Sequence, residues 1–159
     1  MTDLTAKLAS TSRIEMTQLV MPSDANALGS AFGGRIMQWA DLAAGMAAMR
    51  HSRRPVVTAA VDHLAFLAPV RVGQMVTLSA QVNAVFGTSM EVGVSVLAEA
   101  TTTGERRLCC EALFTLVALG VDGKPVRSPL LLTETEEEAR RAEAARARRA
   151  ERLARRPRP

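Results

Sequence analysis

Aromatic residues are scarce in this chain of 159 residues: Phe, Trp and Tyr together make up 3%, with one Trp and no Tyr. Proteins that bind single-stranded nucleic acid stack bases on aromatic side chains, so this scarcity argues against that function. Hydrophobic residues make up 48% of the chain, and they are mostly aliphatic residues and methionine. This composition and length predict one globular domain with a substantial core.

Cysteine and histidine are also rare, with two residues of each. Cys109 and Cys110 are adjacent, a poor geometry for bridging to each other, so we expect reduced cysteines in a cytoplasmic protein. The histidines lack the spacing of metal ligands, and no metal or other cofactor is expected. His51 lies in a polar segment and should be exposed, whereas His63 follows Asp62 in a strand and should point to the opposite face.

Long apolar runs are absent as well. None reaches the roughly 20 residues that a membrane-spanning helix needs. The first residues also lack the basic segment followed by an apolar run that marks a secretory signal. We therefore expect no association with a membrane.

Charge is distributed unevenly along the chain, whose net charge is +4. From Glu134 onward there are nine arginines and six glutamates, so this end carries three of the four net positive charges. The rest is nearly neutral, and nucleic acid is not expected as a partner. We predict one domain over 1–132 and a charged tail over 133–159 that is helical or disordered and solvated. An Arg-rich surface for phosphate or nucleic acid, and packing between subunits, are the alternatives for the tail.

The segment from Gly33 to Met49, GGRIMQWADLAAGMAAM, predicts a helix of about four turns around which the domain is organised. It is apolar nearly all round, as helices buried on most faces are. Asp41 is costly to bury as an ion. Two interpretations are open. Asp41 has a structural role, in which it faces solvent at the edge of the core or bonds a backbone amide, or it is a catalytic base. Gly34 lies seven residues earlier on the same face, at a helix N-terminus whose free N–H groups suit an oxyanion.

One strand is predicted before the helix and four after it, joined mostly by short turns; their ranges are 12–21, 56–66, 75–86, 90–101 and 106–119. Short turns make neighbouring strands antiparallel. The strand over 56–66 is expected to be buried on both faces, because it is rich in apolar and β-branched residues. The order predicts an α+β architecture in which a curved antiparallel sheet wraps the helix. The far side of that helix and a sheet edge need a cover, which a homodimer supplies.

Four blocks carry a resemblance to a known family: MPSDANALGSAFGGRIMQWADLAAGMAA, VVTAAVDHLAFLAPVRVGQMV, GTSMEVGVSV and EALFTLVALGVDGKP. In this order and spacing they resemble the cytosolic acyl-CoA thioesterases, which include the brain-type acyl-CoA hydrolases and bacterial short-chain acyl-CoA thioesterases. The resemblance covers roughly residues 16–129. It implies a hotdog fold, a dimer commonly assembled into a trimer of dimers, and hydrolysis of acyl-CoA to an acid and coenzyme A.

The resemblance also implies roles for particular residues. Asp41 would act on the thioester, and Asn26 would be the second polar catalytic group, supplied across the dimer interface. The glycine pair Gly33 and Gly34 would give the amide for the thioester oxygen. The turn that approaches coenzyme A would consist of Gly87, Thr88 and Ser89. Two questions stay open: whether Asp41 is a general base or attacks directly to give an anhydride, and whether Asn26 orients water or the carbonyl, or only caps a turn.

Two other functions are weighed against hydrolysis. Hotdog hydratases and dehydratases need a His in the site, and no His shares the central helix with Asp41 in a suitable spacing. A non-catalytic hotdog protein that senses acyl-CoA would keep the fold and the glycines. Such a sensor has no need for Asp41 and Asn26 together, so the presence of both favours an enzyme.

Overall fold

The computed structural model describes residues 4–157. The elements are β1 (Lys7–Leu8), β2 (Ile14–Leu19), α1 (Gly33–Ser52), β3 (Val56–Phe66), β4 (Met75–Phe86), β5 (Ser89–Glu99), β6 (Arg106–Ala118), β7 (Leu131–Leu132) and α2 (Glu136–Ala154). Five antiparallel strands form one sheet in the order β2-β4-β5-β6-β3, and β1 pairs with β7 in a separate two-stranded sheet. The predicted α+β hotdog architecture is confirmed.

Helix α1 packs on one face of the sheet, the inner face. The alanines on its buried side are all fully buried: Ala40, Ala43, Ala44, Ala47 and Ala48. Side chains this small let the strands come close to the helix axis, and the core is completed by inward-facing residues of β4, β5 and β6. The helix ends at Ser52, three residues beyond the prediction, and Arg53 follows in the left-handed region with φ of 55°.

The other side of α1 is uncovered in the protomer. Leu42 and Met49 are 52% and 41% exposed, and Val57 and Val61 on β3 are exposed to a similar extent. The expectation that β3 is buried on both faces is wrong for the protomer, because β3 is an edge strand and pairs only with β6. Exposed apolar side chains along an unpaired edge are what the expected dimer would cover.

The opposite directions expected for Asp62 and His63 are also wrong. The β3–β6 register slips between Val61 and His63, so Asp62 is an extra residue in the ladder. Asp62 accepts a hydrogen bond of 2.6 Å from Thr115, and His63 lines a cavity of about 780 Å³ that also includes Arg148. Both side chains therefore lie on the outer face of the sheet.

The tail contains helix α2 over Glu136–Ala154, and this helix is not free in solvent. It lies across the outer face and buries Ala142 and Ala145. Arg148 binds Glu91 through two hydrogen bonds of 3.0 and 2.7 Å, and Arg152 binds Asp62 at 2.7 Å. The carboxylates that receive these arginines are spread over two strands distant in sequence, so the tail alone gives no sign of them.

His51, expected to be exposed, is fully buried at the end of α1. Its Nε2 lies 2.8 Å from the Pro129 carbonyl oxygen, and burial lowers the pKa of its imidazole. Cys109 and Cys110 are free and buried, and burial raises the pKa of Cys110 to about 11, so this thiol is unreactive at neutral pH. Between residues 4 and 157, no helix is long and apolar enough to cross a membrane, and no cluster of three metal-ligating side chains occurs.

Candidate active site

Asp41 lies on the uncovered side of α1 and is exposed in the protomer. Its Oδ1 accepts a hydrogen bond of 2.5 Å from the Thr58 hydroxyl. Thr58 is the third residue of β3, opposite buried Leu116 in the ladder, which directs its side chain to the inner face. This contact restricts one carboxylate oxygen and leaves the other available to water or substrate.

Thr58 is a contact of Asp41 that the sequence did not reveal, because there it is one polar residue in the run VVTAA. Its strand position was predicted, but the slips in the β3 register hide which face it occupies. Finding it requires knowing that β3 passes beside Asp41, which is a tertiary contact.

Asn26 sits in the loop before α1 and organises that loop. Its side-chain oxygen accepts hydrogen bonds from the backbone N–H groups of Leu28, at 2.9 Å, and Ser30, at 3.3 Å. Only the oxygen can accept from an N–H donor, so these bonds determine which way the amide is turned. Both acceptor positions of the oxygen are thereby used. Asn26 caps a turn, and its NH₂ group is left as the part that can act on a substrate.

The loop is tied to the start of α1 through Asp24, a second residue not found from the sequence. The Asp24 carbonyl oxygen accepts from the Phe32 N–H at 2.9 Å, and its carboxylate accepts from the Met21 N–H at 2.9 Å. Arg35, in the first turn of α1, pairs with the same carboxylate at 3.0 Å. These contacts hold Asn26 in a constant position relative to the helix N-terminus.

The N-terminus of α1 presents two glycine amides. The N–H groups of Arg35 and Ile36 bond the Phe32 carbonyl, so the amides of Gly33 and Gly34 precede the first bonds of the helix. A Cβ at Gly34 would meet no atom within 4 Å, so this side is open. A Cβ at Gly33 would lie 3.2 Å from the Phe66 ring, so this side is closed.

Within one protomer, Asp41 and the amide of Gly34 lie about two helix turns apart, so a thioester and its attacking water would have to span this separation. Seven residues of helix separate Gly34 from Asp41, a rise of about 10 Å. A general base must come within about 3 Å of the proton it takes, and an oxyanion donor within about 3 Å of the oxygen. The shared helix face predicted from the sequence exists, but it does not by itself make a site.

The turn formed by Gly87, Thr88 and Ser89 joins β4 to β5, and Gly87 has a φ of 68° that favours glycine. Ser89 pairs with Val117 of β6, which in turn pairs with Val57, the neighbour of Thr58. The turn is thus at the Asp41 end of the sheet, two strands or about 10 Å from Thr58. It is not at the end that holds Asn26 and the glycine amides.

Comparison with known proteins identifies the family. Residues 28–105 match the family model described as the thioesterase superfamily. The chain is 42% identical over 127 residues to the uncharacterized acyl-CoA thioester hydrolase YkhA of Bacillus subtilis, covering 80% of this chain and 74% of that one. This chain belongs to the thioesterase superfamily. It spans only about a fifth of the length of the longer mouse and rat relatives that it matches.

Solved structures of other superfamily members have the same fold. An apo-hexameric acyl-CoA thioesterase has a TM-score of 0.91 and 39% identity, with 95% of this chain and 97% of that chain covered. The acyl-CoA hydrolase of Staphylococcus aureus in complex with butyryl coenzyme A and coenzyme A has a TM-score of 0.88 and 32% identity, with 94% and 92% covered. Alanine variants of the S. aureus enzyme at an asparagine, an aspartate and a threonine are also similar.

Proposed function

We propose that this protein hydrolyses acyl-CoA thioesters to a carboxylic acid and coenzyme A, in a site that two protomers build together. The observation that carries the proposal is the division of the machinery within one protomer. Asp41 and Thr58 lie toward one end of β3, whereas Gly33 packs on Phe66 at the other end. The similar proteins from B. subtilis and S. aureus, named as acyl-CoA hydrolases, support the substrate class.

A two-fold dimer through β3 would join the separated halves. Antiparallel pairing of two β3 edges sets the Phe66 end of one strand against the Thr58 end of the other. The glycine amides and Asn26 would then approach Asp41 of the partner subunit. The same pairing would bury the exposed apolar residues described above, including Leu42 and Val57. A trimer of such dimers is the assembly that we propose, in keeping with the hexameric state of a similar enzyme.

The proposed chemistry assigns donors to one half of the site and the base to the other. The Gly34 amide and the Asn26 NH₂ group donate to the thioester oxygen and stabilise the charge that develops there. Asp41, oriented by Thr58, takes a proton from water as the water oxygen bonds the carbonyl carbon. The tetrahedral intermediate then loses the thiolate of coenzyme A, which takes a proton, and the carboxylic acid is released.

Direct attack by Asp41 is the second route, in which an anhydride forms first and water opens it. A single turnover in water labelled with oxygen-18 demonstrates the second route if label enters the protein, whereas label in the product acid alone also results when water opens the anhydride at the acyl carbon. The general-base route that we favour puts the label only into the product acid. Attack by Asp41, with water opening the anhydride at the enzyme carboxyl, would leave label in the protein.

We further propose that Gly87, Thr88 and Ser89 contact the coenzyme A part of the substrate, which the position of the turn at the Asp41 end supports. No metal or redox cofactor enters this mechanism, since water, a carboxylate and N–H donors suffice for the bonds that change. The two free, buried cysteines support a proposed cytoplasmic location.

Release of free thiol from a panel of acyl-CoAs, short to long, tests the function. We expect turnover by the wild type and a loss of at least about a hundredfold in Asp41→Asn, which keeps the shape but removes the base. Binding of acyl-CoA without turnover on any chain length would instead favour a sensor. Turnover that survives the substitution would place the reaction elsewhere.

A further inference from the structure

Phe66 occupies an unusual position for a large aromatic residue in a chain that has so few of them. It is the last residue of β3 and pairs with the buried Cys110, so its side chain is on the inner face. Its ring lies against the first residue of α1, and the three atoms nearest to a Cβ at Gly33 all belong to it, at 3.2, 3.4 and 3.9 Å. Even so, 49% of Phe66 is exposed in the protomer.

The ring is held by a rigid element and not by a mobile loop. Phe66 closes the ladder between β3 and β6. The N–H of the next residue, Leu67, donates to the Cys109 carbonyl at 2.8 Å, which extends the pairing one step further. Because Gly33 has no side chain, the ring can come close to the helix N-terminus and stay there.

The two glycines thus meet different surroundings. The Gly34 side is open, and a thioester oxygen can approach the amides from there. The Gly33 side is closed by the aromatic ring. A thioester seated on these amides would place a substituent of its carbonyl carbon near the ring, and a branch on that substituent would have to compete with the ring for space.

We propose that Phe66 is the wall of the acyl pocket next to the thioester carbonyl. There it selects straight acyl chains over acyl groups that are branched or aromatic at the carbon bonded to the carbonyl carbon. This inference rests on the proposed acyl-CoA hydrolysis. It concerns the width of the acyl group near the reacting carbon, which is separate from the length of the chain.

The test compares butyryl-CoA, isobutyryl-CoA and benzoyl-CoA by kcat/KM in the wild type and in Phe66→Ala. One carbon in a hydrophobic pocket changes discrimination by roughly 10- to 200-fold. We therefore expect the ratio of kcat/KM for isobutyryl-CoA to kcat/KM for butyryl-CoA to rise at least about tenfold in Phe66→Ala. The corresponding ratio of benzoyl-CoA to butyryl-CoA should rise further. A ratio is the readout because a general loss of structure lowers all three rates together.

Leu67→Ala is the matched control. Leu67 follows Phe66 in the chain and is 55% exposed, but the three atoms nearest to a Cβ at Gly33 all belong to Phe66. Its ratio should stay within about twofold of the wild type. If Phe66→Ala loses its oligomer, Phe66→Leu takes its place, and a smaller rise in the isobutyryl ratio is expected there. Unchanged ratios in an assembled variant, or equal losses on all substrates, would overturn the assignment and leave Phe66 as interface packing.

A failure of this inference can be told apart from a failure of the proposed function. A wild type that hydrolyses butyryl-CoA, together with unchanged ratios in the variant, refutes only the pocket wall. A wild type with no turnover on these three substrates or on any longer acyl-CoA of the panel refutes the function and the wall together.

Discussion

The two long helices lie on opposite faces of one sheet and are attached by different forces. Helix α1 contacts the inner face through alanines, Ile36 and Trp39, and its attachment is apolar. Helix α2 buries few apolar side chains and is attached to the outer face by ion pairs to Glu91 and Asp62. Salt screens the ion pairs that attach α2, and it does not weaken the apolar contacts of α1 in this way.

The contrast extends to the carboxylates. Glu91 and Asp62 each have an arginine partner within 2.7 Å, which neutralises them and makes them structural. Asp41 accepts one hydrogen bond from Thr58 and forms no ion pair among residues 4–157. A carboxylate whose position is restricted but whose charge is unpaired keeps the ability to take a proton. Asp41, which we propose as the base, is therefore distinguished by having no cationic partner among residues 4–157.

The largest expected effects come from replacing Asp41 and Asp62, one at a time, with asparagine. Asp41→Asn should lower kcat/KM by at least about a hundredfold and change the free energy of unfolding by less than about 1 kcal/mol. Asp62→Asn should do the reverse, because it leaves Arg152 without its partner while the base is intact. Thiol release and urea unfolding of the two variants provide the comparison. Equal effects of the two substitutions on activity would remove the distinction.

Glu91→Ala should weaken the attachment of α2 to the sheet and lower the free energy of unfolding more than substitutions of exposed residues do. Glu91 is buried and accepts from both Arg148 and Asn83, so its removal leaves two groups unpaired. Breaking a fully buried pair costs about 3–5 kcal/mol, and the Arg148 side chain is one-third exposed, so we expect roughly 2 kcal/mol. Glu137→Ala is the control, because its pair with Arg141 is exposed and contributes less than about 1 kcal/mol. The prediction fails if both variants unfold at the same urea concentration.

Thr58→Val should lower the rate about tenfold without affecting substrate binding. The change keeps the shape but removes the hydroxyl that bonds Asp41, and a hydrogen bond to a charged group is worth about 1.5–3 kcal/mol. The effect should appear in kcat, since Thr58 acts through Asp41. Thr17→Val, which removes an exposed hydroxyl paired with Thr77 on another strand, should leave kcat unchanged. A Thr58→Val enzyme with the wild-type kcat would show that Asp41 needs no such support.

The smallest expected effect is a loosening of the α2 N-terminus in acid. The Glu134 N–H, together with donors from Gln81 and Thr135, lowers the pKa of Glu138. A carboxyl whose pKa is lowered by folding stabilises the protein above its ordinary value, about 4.3, and loses that contribution as the pH falls through the lowered value. The protection of amides in the first turns of α2, measured relative to the intrinsic exchange rate at each pH, should therefore fall below about pH 4.

Glu138→Gln is the matched variant for this acid effect. It cannot titrate, so the part of the pH response that belongs to Glu138 should vanish. An acid response of the same size in wild type and variant would show that the effect does not come from Glu138.

The sequence predicted most of the inner layer because its signals are local. The central helix was identified from its apolar composition and its glycines, and β4 to β6 from alternation and short turns. The resemblance added the hotdog assignment and Asn26, and it gave a role to Asp41, which the helix pattern had already singled out. These features are readable because each depends on neighbours in the chain.

The rest depends on contacts between distant segments. Thr58, the burial of His51 and the docking of α2 each require a partner at least 17 residues away in sequence. The bulge at Asp62 reversed the predicted face of a residue although the strand itself was correct. Charged residues in a tail look alike whether they are solvated or paired, and only the fold shows which carboxylates they meet.

Two inactive variants mixed in one dimer would test the composite site most directly. Asp41→Asn and Asn26→Ala are each expected to be inactive as homodimers. A heterodimer of the two, co-expressed with different tags, contains one site with both substitutions and one site with neither. Assemblies purified through both tags contain such heterodimers, and they should regain activity that neither parent has, up to about half the wild-type value per dimer. If each protomer carried its own Asp41 and Asn26 to the same thioester, the heterodimer would be as inactive as its parents, and that result would contradict a site shared between two protomers.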